Sequence, residues 1–520
     1  MDTLGTILGE LGAKPGEAIE NGAGEIYLKA APADFKARCL AVHKKTDSPV
    51  MTLFAADEKG RFLVYCAFLW AERRRWIFVF QEVSKDPPAF DSLAADLYSS
   101  AVFEREMREM FGIEARGARD TRRLKLHGEV WPAGYYPLRK DFVPPPARAK
   151  AEEEYIFAKV EGEGLFQVPV GPVHAGVIGP GHFRFSVAGE PIINLEARLG
   201  FTHRGVEKLF EGQKPAGAVK LSECVSGDSA FAHSLAFCLA AERALGAAAP
   251  PRARLLRAVF LELERLYNHA NDIGGMAVDV GFSFPAMCAS LVKEQLLALN
   301  ETLTGSRYLK GVNLPGGVSA DLDGDKEKAV LAALHAVEAD LSDIKDILYD
   351  SVSFMDRVDT TGILAPAAAK HMGVKGPAGR ASGVALDLRK VFPDGCEGLK
   401  FSAAKQETGD VLARLNIRFT ECDSSVSIIR QAMSNLRPGP LAAPAAGTKA
   451  GFAMGCCEGW RGPVLYWLKL DGEGRIDRCK VTDPSTLNWA GLCHAAPGNI
   501  VPDFPLCNKS FDLSYSGNDL

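Results

Sequence analysis

Four long stretches of helical periodicity constrain this chain more than any other feature. In residues 255–272 the apolar positions Leu256, Val259, Phe260, Leu263 and Tyr267 fall on one helical face, and Gly274-Gly275 is the expected stop. Residues 286–303, 328–349 and 407–436 read the same way, the last halted by Pro438-Gly-Pro440. No apolar run is long enough to span a bilayer, so each stripe has to be buried against protein. A body of packed helices is expected, with a further helix over 231–245 leading into it.

Strand-like segments sit at both ends of that body. Near the N-terminus they are residues 50–55, 62–69 and 76–80, with Asp57-Glu-Lys-Gly60 as a hairpin turn between the first two. Helical spacing flanks them at 3–12 (Leu4, Ile7, Leu8, Leu11) and at 91–111 (Leu93, Leu97, Val102, Phe103, Met110). Residues 131–142 form an extended, turn-rich tail. Residues 143–154, VPPPARAKAEEE, read as a linker, proline first and then a charge run. Residues 165–195 alternate like hairpin strands, and residues 450–485 are again strand-like, at 452–454, 464–470 and 475–482. At 520 residues more than one domain is expected. The predicted fold class is α+β: a small N-terminal α/β domain over 1–142, the linker 143–154, and a large, mostly α-helical domain over 155–520 with β hairpins at both ends.

Composition narrows the function. A net charge of -5 leaves no electrostatic case for nucleic acid. The N-terminal MDTLGTILGELGAK has neither a basic region nor a long apolar core, so it is not read as a secretory signal, and a cytosolic protein docked on a membrane partner is expected. The 12 cysteines are scattered without any CxxC pair, which argues against a self-contained iron–sulfur or zinc site. The vicinal Cys456-Cys457 is poor geometry for two ligands of one metal, and most cysteines read as buried small hydrophobes in a reducing compartment. No glycine-rich dinucleotide fingerprint follows a strand, so NADH, if used, binds a separate partner protein.

The chemistry-bearing residues concentrate in two segments. Gly200-Phe-Thr-His-Arg-Gly-Val-Glu-Lys-Leu209 reads as a turn entering a helix, with Thr202 as N-cap and His203, Arg204 and Glu207 within five residues. Ser222-Glu-Cys-Val-Ser-Gly-Asp-Ser-Ala-Phe-Ala-His-Ser234 follows, a run of small, hydroxylated and sulfur residues ahead of a helix. Locally two readings stand: an Arg204–Glu207 ion pair that braces the helix, or a buried polar site.

The order of several motifs carries a resemblance. Glu104-Arg-Glu-Met-Arg-Glu-Met-Phe-Gly-Ile113 with Tyr136-Pro-Leu-Arg-Lys-Asp-Phe142 resembles the small, C-type hydrophilic subunit of respiratory complex I and the matching part of group 4 [NiFe] hydrogenase large subunits. His203-Arg-Gly-Val-Glu-Lys208, Asn313-Leu-Pro-Gly-Gly-Val318, Met355-Asp-Arg-Val-Asp-Thr-Thr-Gly-Ile-Leu364, Ser382-Gly-Val-Ala-Leu-Asp-Leu-Arg-Lys390 and Ile428-Ile-Arg-Gln-Ala-Met433 resemble the D-type hydrophilic subunit of complex I and those hydrogenases. The chain resembles a natural fusion of the C-type and D-type proteins, and the large domain is expected to be [NiFe]-hydrogenase-like.

What the resemblance implies differs along the site. The four cysteines that hold nickel in the hydrogenases fall here on Ser226, Ser229, Ser514 and Ser516. Nickel there needs soft thiolates, and a serine hydroxyl stays protonated near neutral pH, so a standard Ni–Fe site is expected to be absent. Cys224 and Cys507 lie near those positions and read as packed cysteines. The quinone cavity of complex I uses a histidine on an N-terminal hairpin and a tyrosine. His174 matches the first, His182 lies beyond the place of a second hairpin histidine, and the tyrosine position falls on Cys224, so Tyr515 is the candidate phenol. Arg204 matches the arginine beside the partner's terminal cluster. Glu207 matches the hydrogenase proton gate, where a raised pKa is expected. His233 and Asp228 are secondary candidates, while His269, Asp272 and Asp279 read as packing or capping residues.

The resemblance therefore implies a redox-arm subunit of a membrane-bound, energy-converting oxidoreductase. The chain itself binds no cofactor, and a cavity between Glu207, Cys224, Ser226, Ser229 and the C-terminus takes an acceptor such as quinone. The expected partners are a small iron–sulfur subunit, an ion-pumping-type membrane subunit and, in addition, a ferredoxin-like iron–sulfur subunit. The expected place is peripheral, on the cytoplasmic side of the inner membrane. The rival readings are a group 4 hydrogenase with atypical metal ligation and a catalytically silent assembly scaffold.

Overall fold

The computed structural model describes residues 4–147, 149–174, 178–445 and 450–520. Residue 3 of the first helical run, residue 148 of the linker and residues 175–177 of the hairpin segment lie outside the described residues.

The N-terminal part begins with α1 (Leu4–Glu10), then β1 (Ala18–Glu20), β2 (Ile26–Lys29), α2 (Phe35–Thr46), β3 (Thr52–Glu58), β4 (Arg61–Trp70) and β5 (Arg75–Ser84). The five strands form one sheet in the order β1-β2-β5-β4-β3, antiparallel except for the β2–β5 pair. The strands read as continuous apolar runs because both faces are covered. One face, with Val64, Cys66, Ile77 and Val79, packs under Phe35, Cys39, Phe103 and Met107 of the flanking helices. The other, with Phe54, Tyr65 and Phe78, packs against Met454, Cys456, Leu465 and Trp467 from the far end of the chain. There Trp467 Nε1 donates to Tyr27 Oη at 2.9 Å. Apolar surface thus glues the sheet to the rest of the molecule, at roughly 2 kcal/mol per large side chain buried.

The helix expected over 91–111 is shorter. A strand, β6 (Ala89–Asp91), and a loop come first, and α3 covers only Ala101–Phe111, followed by β7 (Glu114–Arg116). The buried Glu104 carboxylate explains the break: it accepts from Ser92 Oγ (2.6 Å), the Leu93 amide (2.8 Å) and Ser100 Oγ (2.8 Å), drawing the loop onto the helix.

A second sheet holds β8 (Leu165–Val170), β9 (His182–Ala188) and β10 (Ile192–Arg198) in the order β10-β9-β8. After α4 (Val206–Phe210) and α5 (Pro215–Ser222) the helical body follows: α6 (Ala230–Leu245), α7 (Pro251–Asp279) and α8 (Ser283–Thr304). The short pair β11 (Asn313–Leu314) and β12 (Gly317–Val318) leads to α9 (Gly324–Asp350), α10 (Val352–Val358), α11 (Pro366–Met372), α12 (Gly376–Ala381), α13 (Leu388–Val391) and α14 (Val411–Asn435). A last antiparallel sheet, β13 (Gly451–Gly459), β14 (Gly462–Leu470) and β15 (Ile476–Thr482), packs on α6 before α15 (Ser485–Ala495), α16 (Phe504–Phe511) and α17 (Tyr515–Asp519) end the chain.

The expected apolar face of α7 is fully buried: Leu256, Val259, Phe260, Leu263 and Tyr267 are at most 1 % exposed. Gly274-Gly275, however, does not stop the helix, which runs on to Asp279. A Cβ on Gly274 would sit 2.9 Å from Ala289 Cβ of α8, so this glycine admits the neighbouring helix and does not terminate its own. Among the described residues no helix is long and apolar enough to cross a membrane.

Candidate functional site

The turn at 200–204 is organised by the last segment of the chain. The Asp519 carboxylate accepts from the Gly200 amide (2.9 Å), the Thr202 amide (2.9 Å) and Thr202 Oγ1 (2.8 Å). Thr202 is therefore no N-cap. α4 begins later, after Gly205 at φ 67°, a left-handed turn that glycine adopts without strain. His203 Nδ1 lies 2.7 Å from the Asp519 carbonyl, and burial holds its imidazole below the usual range.

Arg204 and Glu207 do not pair with each other. Arg204 is exposed, and its guanidinium donates to the carbonyls of Cys224 (2.6 Å), Val225 (3.0 Å) and Ser516 (2.8 Å). Three carbonyls satisfy its donors without cancelling its charge. Glu207 points inward from α4. It accepts from Arg478 Nη1 (2.8 Å) and the Val481 amide (3.0 Å) and lies 3.2 Å from Lys480 Nζ. Lys480 also pairs with Glu106 of α3, which meets Lys125 Nζ at 2.9 Å. Two carboxylates and three cations form a buried knot across the junction of α3, α4 and β15. The expected raised pKa of Glu207 is overturned here. Burial alone pushes the carboxyl up, but Arg478 and Lys480 outweigh it and hold Glu207 below the usual carboxylate range. The same opposition leaves Glu106 at about 2.

The four serines expected at the former metal-ligand positions converge into one hydrogen-bonded cluster. Ser226 Oγ lies 2.8 Å from Ser514 Oγ, and Ser514 Oγ lies 3.4 Å from Ser516 Oγ. Ser226 and Ser229 both donate to Asp228 Oδ1, at 2.8 and 3.2 Å. Arg461 clamps Asp228 through both carboxylate oxygens (2.8 and 2.7 Å) and stacks 3.8 Å over the Trp460 ring. Trp460 Nε1 donates to Ser229 Oγ at 3.0 Å. This donor set does not fit a Ni–Fe centre. It offers protonated hydroxyls, each occupied by a protein partner, where soft anionic sulfur is required. Among the described residues no group of three or more His, Cys, Asp or Glu is placed to hold a metal ion.

His233 is buried between Tyr466 Oη (2.9 Å from Nδ1) and Asp483 (3.1 Å from Nε2). His269 lies 3.3 Å from Glu421, and burial pushes it down to about 4. Asp272 pairs with Arg418 at 2.7 Å, and Asp279 is half-buried at the end of α7. Cys507 is buried against Gly362, whereas Cys224 is exposed beside Arg204.

His174 and Tyr515 fall in one aromatic cluster. His174 lies 6.0 Å from Phe183, Phe183 lies 6.2 Å from Trp489, and Trp489 meets Tyr515 edge-on at 4.9 Å. His174 Nε2, Trp489 Nε1 and Tyr515 Oη are buried without a hydrogen-bond partner. Burial pushes Tyr515 up to about 12, opposed by the Asn508 side chain, which stands close to Oη without forming a hydrogen bond of good geometry, so the phenol stays a donor. Gly179 and Gly181 let the Tyr515 side chain approach the hairpin closely, since a Cβ on Gly179 would lie 2.6 Å from its Cβ and one on Gly181 2.7 Å from its ring. His182 sits apart, its Nδ1 3.2 Å from the Gly171 carbonyl.

The residues expected around one cavity thus fall into three groups of contacts: an ionic knot at Glu207, a hydroxyl cluster at Ser226 and Ser514, and an aromatic cluster with unpaired polar atoms that adjoins it through Tyr515. Sequence reasoning missed Arg478, Lys480, Arg461, Trp489 and Asp519. One signal was available: Arg478 and Lys480 fall two residues apart, on one face of the strand Ile476–Thr482 that ends a largely apolar sheet segment, and buried cations there call for acids opposite.

Residues 28–148 match the family described as respiratory-chain NADH dehydrogenase, 30 Kd subunit, and residues 279–450 match respiratory-chain NADH dehydrogenase, 49 Kd subunit. The chain is 34% identical to formate hydrogenlyase subunit 5 of Escherichia coli (strain K12) over 90% of its length and 84% of that protein. It is 29% identical to NADH-quinone oxidoreductase subunit 4 of Thermus thermophilus, over 72% of its own length and 98% of the relative. Among solved structures it is similar to a chain of the membrane-bound sulfane sulfur reductase, an archaeal respiratory membrane complex, with a TM-score of 0.65 and 26% identity, covering 69% of this chain and 99% of that one.

Proposed function

The chain belongs to the family that joins the 30 Kd and 49 Kd subunits of respiratory-chain NADH dehydrogenase with hydrogenase-complex proteins such as formate hydrogenlyase subunit 5, and from that premise we propose that it receives electrons from a neighbouring iron–sulfur subunit and passes them to an organic acceptor of the quinone class. It works as a redox-arm subunit of a complex I-like oxidoreductase. The division at residues 143–154 into a C-type and a D-type part, the cytoplasmic-side placement, and the small iron–sulfur, ferredoxin-like and ion-pumping membrane partners belong to the same proposal. So does the coupling of electron transfer to ion translocation.

The observation that carries the reading is the aromatic cluster. An acceptor with two carbonyl oxygens and a flat ring needs hydrogen-bond donors that the protein has left unpaired, set among aromatic faces. His174 Nε2, Trp489 Nε1 and Tyr515 Oη meet that need. Reduction of a quinone consumes two electrons and two protons. Arg204, at the surface with its charge uncancelled, supports electron entry by favouring the reduced form of a cluster placed against it. Glu207 is a held anion, so its role here is to position α4 and not to release a proton at neutral pH.

The test is carried out on the purified complex, with nickel quantified and hydrogen uptake and quinone reduction assayed together. Quinone-dependent turnover without nickel, with Tyr515→Phe raising KM for quinone while thermal stability stays within about 1 kcal/mol of the parent, is the expected result. Stoichiometric nickel with hydrogen turnover, or an unchanged KM in Tyr515→Phe, overturns it.

A second reading has one observation in its favour. Cys224 is exposed, its backbone carbonyl accepts from Arg204 Nη1 at 2.6 Å, and the similar solved complex is a sulfane sulfur reductase. Sulfane sulfur would then be the acceptor. Loss of sulfur reduction in Cys224→Ser, with quinone reduction intact, would select this reading.

A further inference from the structure

A cavity of about 610 Å³ lies where the N-terminal sheet unit meets the helical body, and none of the site residues named above lines it. Residues 46–49, 69, 71 and 72 form one wall, and α11 with residues 373–375, 382–387, 390 and 391 forms the other. Gly373 makes the close approach, since a Cβ there would come within 3.2 Å of Ser99 and Pro49. Much of the lining is apolar, from Leu69, Val374, Val384, Leu386 and Val391.

Two polar side chains facing this cavity lack the partners their burial demands. Lys375 is 4 % exposed, and its Nζ donates to a single acceptor, the Gly373 carbonyl at 3.0 Å. Among the described residues no carboxylate lies within ion-pairing distance of it. Ser382 is fully buried, and its Oγ has no hydrogen-bond partner. A lysine in such a place is costly for stability unless something else takes up its donors. The charged groups around it are already committed or remote. Lys370 pairs with Asp47 at 2.9 Å, Asp387 pairs with Arg389 at 2.6 Å, and Lys390 and Glu72 stand at the rim. Glu458, behind the cavity, accepts from Arg380 and the Leu388 amide.

We propose that this cavity is a binding site for an organic carboxylate with an apolar body, its carboxylate paired with Lys375 Nζ and Ser382 Oγ serving as a second polar anchor. The volume is that of a site for a small organic ligand, and the apolar lining suits a hydrocarbon portion. Burial pushes the Lys375 ammonium down to about 7, with Glu458 opposing, so near neutral pH the empty site holds much of its lysine as the neutral amine. A bound carboxylate restores the charge. Binding above pH 7 therefore takes up a proton, and binding well below it does not.

Octanoate, acetate and octanol serve as probes, titrated calorimetrically into the full chain in buffers of different ionisation enthalpy. The expected result is saturable octanoate binding, weakened at least ~10-fold in Lys375→Met and at least ~10-fold for octanol, with close to one proton taken up per octanoate at pH 8 and little at pH 6. Retained affinity in Lys375→Met overturns the assignment. So does loss of affinity in the rim variant Lys390→Met, acetate binding as tightly as octanoate, or an absence of proton uptake at pH 8. The proton count is read on the unmodified protein, so a variant that fails to fold still leaves the proposal decided.

Discussion

At the scale of single residues, Glu207 shows how neighbours override intrinsic chemistry. A buried carboxylate alone resists ionisation, but Arg478 at 2.8 Å and Lys480 at 3.2 Å reverse that tendency. Removing the charge leaves those cations facing Glu106 alone. Glu207→Gln is expected to destabilise the chain by about 3–5 kcal/mol, measured by urea denaturation, because buried cations are left uncompensated. In complexes that still assemble, a catalytically silent scaffold predicts unchanged turnover. Because Glu207 positions the α4–β15 contact, turnover is expected to fall, and rescue by Glu207→Asp should be partial since the shorter side chain cannot span both cations.

At the scale of elements, α7 and α8 show what a glycine in a helix is for. Intrinsic propensity places glycine about 1 kcal/mol below alanine, which would make Gly274 a weak point or an end. Its actual neighbour is Ala289 of α8. Gly274→Val should therefore force the two helices apart and lower stability by about 1–3 kcal/mol, read as a drop in thermal midpoint by circular dichroism. Gly9, in α1, has nothing within 4 Å of where its Cβ would stand. Gly9→Ala is expected to raise the midpoint, by up to about 1 kcal/mol in stability. Equal effects of the two substitutions would remove the close-packing argument.

At the scale of the whole molecule, the two ends of the chain hold each other. The N-terminal sheet is covered by β13 and β14, the segment 514–520 organises the turn at 200–204, and the knot at Glu106 and Lys480 crosses the junction. The pH dependence follows from Glu106, whose pKa is depressed from an ordinary 4.5 to about 2 by Lys125 and Lys480 against its burial. A depressed carboxylate contributes stability that is fully present above about pH 4.5 and lost as pH falls towards 2. Glu106→Gln should thus be less stable than the parent at pH 7, and the difference should shrink between pH 4.5 and 2. A difference that stays constant over that range would show that the ion pairs do not contribute as described.

The sequence by itself determined the periodic parts of this protein. The apolar stripe of α7, the hairpin at Asp57–Gly60, the strands on either side of the helical body and the motif order that marks the family were all legible, because each is a local pattern or a string of matched residues. That these positions carry hydroxyls and no thiols was legible too, since donor chemistry belongs to the side chain. Only the tertiary structure decided what those residues meet. Arg204 bonds carbonyls and not Glu207, Thr202 serves Asp519 and caps no helix, and Gly274 admits a neighbour where a helix end was expected. His174 and Tyr515 reach one cluster only through Phe183 and Trp489. These outcomes depend on partners outside the local pattern, from the neighbouring helix that meets Gly274 to Asp519, 317 residues beyond Thr202. Burial, ion pairing and close packing are set by distance in space, and no local pattern records it.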